Sequence, residues 1–252
     1  LDTDATTTVV VEDTIDTTTL SFSGTAVDEG GTQTITATLS NAAAEEIVVT
    51  LDDGGHNLTI TIAQGATSGT VSFTATDAEF DYLNEGQTTD LPFSVSVSEN
   101  SFEDLSFDDL VNVTVTGVND DPEITTDEGG NLGTVIEAGS EDNGDVVAGD
   151  PTVTGQLTST DKDNTYVHTW SIAGTPSTTY GSITIDASTG VWTYNLDNTD
   201  VDTQALREGD VVTETYTALV TDDQGGTATQ AITITISGTN DAPVIQEAAQ
   251  TG

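Results

Sequence analysis

Carboxylates dominate whatever chemistry this chain can do: 44 Asp and Glu residues stand against two basic ones, Lys162 and Arg207. They gather in a phrase that occurs twice, as Gly117-Val118-Asn119-Asp120-Asp121-Pro122 and as Gly238-Thr239-Asn240-Asp241-Ala242-Pro243. A further group, Asp161-Lys162-Asp163, sets two carboxylates on alternate residues, which in an extended loop can aim at one point as the ligands of calcium loops do. Two carboxylates about 4 Å apart repel by roughly 4 kcal/mol at an effective dielectric near 20, so three or four at one place strain a domain by an amount comparable to its whole stability. A cation must offset this, and the chain supplies almost none. Ca²⁺ suits the donors, since it takes six to eight oxygens from Asp, Glu, Asn and backbone carbonyls in loose geometry.

Other chemistries have weaker support. With 44 acids, some pair will meet the spacing of a glycosidase by chance, so that signal decides nothing. His56 lies beside Gly54-Gly55 in a turn and His168 on an aromatic strand face, neither near a Ser elbow, which makes core or surface histidine the reading for both. There is no HExxH, no phosphate-binding glycine loop and no Gly-Gly-x-Gly-x-Asp nonapeptide repeat. A formal charge of −42 excludes nucleic-acid backbone binding and direct contact with anionic membranes, both of which need clustered Lys and Arg. No cysteine is present, so neither disulfides nor thiolate metal sites can hold the fold together.

The elements that must position the acids read as strands. Apolar residues are β-branched or aromatic and alternate with Thr and Ser, the pattern of a half-buried strand rather than of a disordered polyelectrolyte. No long helix is expected. The two phrases lie 240 − 119 = 121 residues apart, each after an apolar strand (Val111, Val113, Val115 and Ile232, Ile234, Ile236), which defines a tandem array with acidic joints. Residues 1–16, with Val9-Val10-Val11, read as the last strand and linker of a preceding repeat; 17–118 and 119–239 as two domains; and 240–252 as the linker to a next repeat. Expected strands in the first domain are 32–39, 47–51, 58–62, 70–76, 93–97 and 111–115. In the second they are 153–157, 166–172, 182–185, 191–194, 211–221 and 227–236, with Trp192, Tyr194, Trp170, Tyr166, His168 and Ile172 offered to a core. Short strands at this density suggest an all-β chain of tandem immunoglobulin-like sandwiches.

Residues 119–243 resemble a VCBS repeat. The resemblance rests on Asn240-Asp241-Ala242-Pro243, Thr160-Asp161-Lys162-Asp163, the Tyr180-to-Ile185 and Trp192-to-Tyr194 hairpin, and Thr221-Asp222-Asp223-Gln224-Gly225-Gly226. That family is a cadherin-like sandwich of very large bacterial surface and secreted proteins, including type I secreted RTX adhesins. Residues 17–118 resemble another repeat of large biofilm adhesins, through Val27-Asp28-Glu29-Gly30-Gly31, Ile60-Thr61-Ile62, Gly65-Ala66-Thr67-Ser68-Gly69 and Val113-Thr114-Val115-Thr116-Gly117. In such arrays Ca²⁺ sits at the domain boundary. Carried over, the resemblance implies Asn119, Asp120 and Asp121 from the linker with Asp161, Asp163 and Asp222 from loops, and Glu137 and Asp223 as further donors. Lys162 and Asn164 depart from the family, which often carries another acid there, and imply a weakened or reshaped second ion site. For the preceding joint, clustering and analogy point to Glu12, Asp13, Asp16, Asp28, Glu29, Asp77 and Asp81. The alternative for each is a solvated surface acid.

The expected protein is therefore a non-enzymatic, monomeric spacer at the bacterial cell surface. Its partners are the neighbouring repeats of its own chain, Ca²⁺ stiffens its joints, and the adhesive ligand is bound elsewhere. The rival expectation is a sandwich that holds a carbohydrate or peptide at a calcium-assisted loop, with Tyr82 or Tyr180 as the aromatic contact.

Overall fold

The computed structural model describes residues 16–98, 102–141, 143–163, 167–177 and 179–242. It divides into two compact units, Leu1–Val118 and Asn119–Gly252. The expected strand at Val9 to Val11, and Glu12 and Asp13, lie outside the described residues.

Unit 1 contains β1 (Thr17–Ser23), β2 (Ala26–Asp28), β3 (Thr32–Leu39), β4 (Ile47–Asp52), β5 (Asn57–Ile62), β6 (Ser68–Thr74), a one-turn helix α1 (Asp77–Phe80), β7 (Thr88–Val97), β8 (Asp104–Ser106) and β9 (Leu110–Thr116). One sheet has the order β6-β3-β1-β8 and the other β2-β9-β7-β4-β5. Alternation decides which residues face inward: Ile35, Ala37 and Leu39 from one sheet meet Val49, Leu51, Ile60, Phe93 and Val113 from the other in a single core. The sequence pattern missed β1, β2 and β8. It also missed α1, whose Phe80 is buried in the same core and so fixes the acids on either side of it.

The feature of unit 1 that places Glu29 is a parallel pair. Strand β2 runs beside β9 with Val27 opposite Val115, so the residue after the strand, Glu29, arrives at the end of β9, where its N–H donates to Thr116 O at 2.8 Å.

Unit 2 contains β10 (Glu123–Ile124), β11 (Leu132–Ile136), β12 (Gly139–Ser140), β13 (Val146–Val147), β14 (Thr152–Gln156), β15 (Ser159–Thr160), β16 (Thr169–Ile172), β17 (Gly181–Ile185), β18 (Val191–Leu196), β19 (Val211–Thr221) and β20 (Thr227–Ser237). Its main sheets are β11-β20-β19-β16 and β14-β18-β17. Trp170, Trp192 and Tyr194 fill the core between them, and the Trp192 indole donates to Gly130 O at 2.8 Å. His168 precedes β16, with its ring 6.3 Å from that of Trp170. Tyr166 lies outside the described residues. Here too a parallel pair matters, because β11 beside β20 puts Val135 opposite Ile236 and brings Glu137 N to Ser237 O at 3.0 Å. Each unit is a β-sandwich, and the chain is a tandem of two. Among the described residues, no helix is long and apolar enough to cross a membrane.

Candidate metal centre

Three carboxylates converge within unit 1. Glu29, Asp77 and Asp81 each present an oxygen within 4.8 Å of the others'. Glu29 is delivered by the parallel β2–β9 pair and is buried, with Oε2 accepting the Val118 N–H at 3.3 Å. Asp77 opens α1 and Asp81 caps its C-terminus, joined through Asp81 N to Asp77 O at 3.0 Å. The next turn is fastened to the end of β9 by Gly86 N to Gly117 O at 3.0 Å and Gly117 N to Gln87 O at 2.8 Å. These three acids therefore belong to the side of unit 1 where Gly117 and Val118 lead out, and not with Asp16. Asp28, the strand neighbour of Glu29, alternates to the exposed face, and Asp16 is exposed ahead of β1. The preceding-joint grouping of Glu29, Asp77 and Asp81 is corrected accordingly: sequence proximity suggested it, and strand pairing overrides it.

The second set lies in unit 2 around the linker phrase. Asp120 N donates to Asp163 Oδ2 at 3.1 Å, Asp163 N to Asp161 Oδ1 at 3.1 Å, and Thr227 N to Asp121 Oδ1 at 3.2 Å. The other oxygens, Asp161 Oδ2 and Asp163 Oδ1, are buried and have no hydrogen-bond partner among the described residues. Burial pushes both carboxyls above the usual range; the like charges of Asp222 and Asp121 add to this at Asp161, and those of Asp161, Asp120 and Asp222 at Asp163. Lys162 Nζ sits 3.6 Å from Asp120 Oδ1, so one of the chain's two cations is already at the phrase.

Asp222 does different work from Asp161 and Asp163. Its Oδ1 accepts from Gln224, Gly225 and Gly226 N–H at 2.8, 2.6 and 2.8 Å, and its Oδ2 accepts from Asn119 Nδ2 at 3.1 Å. Burial raises its carboxyl, but these donors outweigh burial and hold it below the ordinary value. It is a brace that orients Asn119. Gly226 makes the close approach possible, since a methyl there would come under 3.0 Å from Asp222, Asp121 and Asn119 side-chain atoms. Asp223 is exposed on this turn.

Glu137 leaves the first phrase altogether. Its Oε2 accepts the Thr239 N–H at 3.1 Å, at the second phrase. It is fully buried, and Oε1 has no hydrogen-bond partner among the described residues. Burial raises its carboxyl above the usual range and the charge of Asp241 raises it further. Around it, Ser140 N donates to Asn240 O, Asn240 Nδ2 to Ser140 O and Ala242 N to Ser140 Oγ, at 2.7, 2.7 and 2.9 Å. Thr239 and Asn240 stand in the second phrase, which the sequence marks as a linker without naming ligands there; Asn198, whose Oδ1 accepts the Ala138 N–H at 2.8 Å, carries no sequence signal.

Many remaining acids are turn formers. Asp186 Oδ1 alone accepts four bonds from Ser188 and Thr189, and Asp53 Oδ1 accepts from Gly55 and His56 N–H. The His56 ring bridges Asp53 at 3.0 Å and Glu79 on α1 at 3.3 Å. Glu214 is buried under the hydroxyls of Tyr194, Tyr216 and Ser177 at 2.7, 2.8 and 3.0 Å. The donors at both candidate sets are all oxygen, which fits a hard cation such as Ca²⁺ and not a thiolate or imidazole metal.

A family model, the LapA domain, matches residues 16–121, close to the span that resembles a biofilm-adhesin repeat. No curated protein matches the chain. Among solved structures, the extracellular cadherin domains 1–5 of protocadherin gamma B2 align with 92% of the chain at 12% identity and TM-score 0.48. Mouse cadherin-23 EC22–24 aligns with 88% at 15% identity and TM-score 0.39, and protocadherin gammaB7 EC3–6 with 88% at 14% and TM-score 0.42. The chain spans 42%, 64% and 50% of those chains, respectively.

Proposed function

We propose that this chain is a spacer segment of a large bacterial surface adhesin, a non-enzymatic pair of sandwiches stiffened by Ca²⁺. The observation that carries the reading is the convergence of Glu29, Asp77 and Asp81 in a chain with almost no cations. The LapA match over unit 1 supports the adhesin setting, and the VCBS resemblance of unit 2 is consistent with it. Glu29, Asp77 and Asp81 would supply carboxylate ligands, and Asn119, Asp120 and Asp121, with Asp161 and Asp163, a second set. A bound ion cancels the mutual repulsion of the acids. Within unit 1 it would tie α1 and the end of β2 to a common charge, so the folded state is stabilised by mass action. The neighbours of this segment would be further repeats of the same chain, with the adhesive ligand held elsewhere. Extracellular calcium modules bind in the range of about 0.1–1 mM, so folding would follow export from a low-calcium cytosol. A chain without cysteine is suited to type I secretion, which bypasses an oxidising compartment.

Calorimetric titration of Ca²⁺ into the chelator-treated chain tests this. Saturable uptake in the micromolar-to-millimolar range, weakened at least tenfold by Glu29→Gln, is expected; absence of uptake at 10 mM would refute the calcium role. Tyr82, half-exposed beside Asp81, gives the rival glycan-binding reading its one specific support, and binding on a glycan array would favour it.

A further inference from the structure

The two units share a loop in which four backbone hydrogen bonds recur, although its residues differ where it matters. In unit 1, Asp81 N donates to Asp77 O, Leu83 N to Phe80 O, Gln87 N to Asn84 O and Gly117 N to Gln87 O. In unit 2 the same four bonds run from Gln204 N to Asp200 O, Leu206 N to Thr203 O, Asp210 N to Arg207 O and Gly238 N to Asp210 O. The side-chain clasp recurs as well: Asn84 N to Gln87 Oε1 at 3.2 Å becomes Arg207 N to Asp210 Oδ2 at 2.9 Å. The buried glutamates correspond too, Val118 N to Glu29 matching Thr239 N to Glu137. Position 77 thus answers to 200, 81 to 204 and 84 to 207.

Read through this register, the trio Glu29, Asp77, Asp81 becomes Glu137, Asp200, Gln204, and Asn84 becomes Arg207. Gln204 carries no charge, and it turns its amide to donate to Asn198 O at 2.8 Å. Arg207, the second of the chain's two cations, lines a cavity of about 390 Å³ together with Gln204, Glu208, Asn240 and Asp241. Among the described residues, no three acids converge around Glu137 as they do around Glu29. Yet Glu137 is fully buried, and among the described residues neither its Oε1 nor the buried Thr239 Oγ1 has a hydrogen-bond partner, so the position retains a demand for positive charge.

We propose that the Glu137 end of unit 2 is a low-affinity counterpart of the Glu29 end of unit 1, filling only at calcium concentrations at least tenfold higher. Replacing one carboxylate by an amide removes a full charge from the ligand set, and Arg207 puts a positive charge on the loop where unit 1 has the neutral Asn84. The chain then responds to calcium in two stages, with the Glu29 end ordered first. This inference rests on the calcium reading given above.

Carboxyl-carbon NMR of the chain labelled at glutamate side chains reads each end separately, the two resonances being assigned with Glu29→Gln and Glu137→Gln. On titration with CaCl₂, the Glu29 signal is expected to shift with a midpoint at least tenfold below that of Glu137. The double variant Gln204→Asp/Arg207→Asn, which restores the unit 1 residues, is expected to lower the Glu137 midpoint about tenfold while leaving that of Glu29 in place. Coincident midpoints, or a Glu137 midpoint indifferent to the double variant, would overturn the two-stage proposal alone. Silence of both resonances up to 10 mM would overturn the calcium reading and the proposal together.

Discussion

Glu29 and Glu137 occupy the same position in their respective units, and what surrounds them differs. Each follows a strand that runs parallel to the unit's last strand, and each accepts the backbone N–H of the residue before Asn in the linker phrase. Glu29 has two aspartates within 4.8 Å; Glu137 has Gln204 and Arg207 in the registers of Asp81 and Asn84. The backbone therefore builds the same receptacle twice, and side-chain charge decides what it can hold. On the calcium reading, a fold of this kind can be repeated along a chain while the ion demand at the end of each unit is set by two or three positions.

The largest expected effect separates the receptacle from the core beneath it. Trp192→Ala removes a fully buried side chain from unit 2 and should cost about 3–5 kcal/mol. Calorimetric melting should then resolve into two steps, with unit 1 unfolding near its original temperature; one lowered step for both units would show that they do not fold independently.

Asp77→Asn with Asp81→Asn strips unit 1 of the charges that unit 2 already lacks in part. Calcium affinity at the Glu29 end should fall by at least 100-fold in calorimetric titration. In chelator the same variant should melt no lower than the parent, because like-charge repulsion has been relieved. A lower melting point in chelator would mean that these acids serve the fold rather than an ion.

Gly226→Ala crowds Asn119, Asp121 and Asp222 and should destabilise unit 2 by about 1–3 kcal/mol, the range for overpacking a fitted site. An unchanged urea midpoint would show that the 222–226 turn yields at no cost.

Acidity gives a smaller and signed effect. Burial holds Glu137, Asp161 and Asp163 above their ordinary carboxyl values in the folded chain, so that state takes up protons before the unfolded one does. In chelator, stability should rise as pH falls from the raised folded values toward the ordinary ones, and then gain nothing more from these groups. Calcium competes with the same protons, so in millimolar calcium the added stability should shrink over that window. Parallel melting curves at pH 7 and pH 5 with and without chelator would contradict this.

His56 gives the smallest effect. The Asp53 hydrogen bond comes first, and the charges of Glu79 and Asp53 add to it; against partial burial they hold the imidazole above its ordinary value. Its contribution to stability, about 0.5–1 kcal/mol, is fully present below the unfolded value and lost as pH rises through the folded one. His56→Gln should flatten that part of the pH profile; an unaltered profile would remove His56 from the anchoring of α1.

Sequence pattern served best where strands are long and regularly alternating. Strands β3 and β19 match their expected limits, and β20 extends one residue past its own, because Thr recurs at every second residue over much of each strand. Strand β8, Asp104–Ser106, carries a single apolar residue, and β10, β12 and β15 have two residues each, too short for any period to register. The acids were recognisable as a class, but their grouping was not. Sequence proximity groups Glu29 with Asp16, 13 residues away, whereas a parallel pairing sends it to Val118, 89 residues on. Parallel pairing leaves no turn residues to announce it, and so the partners of Glu29 and Glu137 had to be seen in three dimensions. The correspondence of Leu83-Asn84-Glu85-Gly86 with Leu206-Arg207-Glu208-Gly209 was legible, and it would have pointed to Gln204 and Arg207 from the sequence alone.

A thermal melt in 5 mM CaCl₂ against one in excess chelator bears most directly on the claim that calcium holds this molecule together. At 5 mM, five to fifty times the dissociation constant of about 0.1–1 mM, each site adds about 1–2 kcal/mol. For a unit of this size that is a rise of roughly 5 °C or more in the melting temperature. The account predicts that rise, together with its loss in Asp77→Asn/Asp81→Asn; superimposable curves for the parent chain would contradict it.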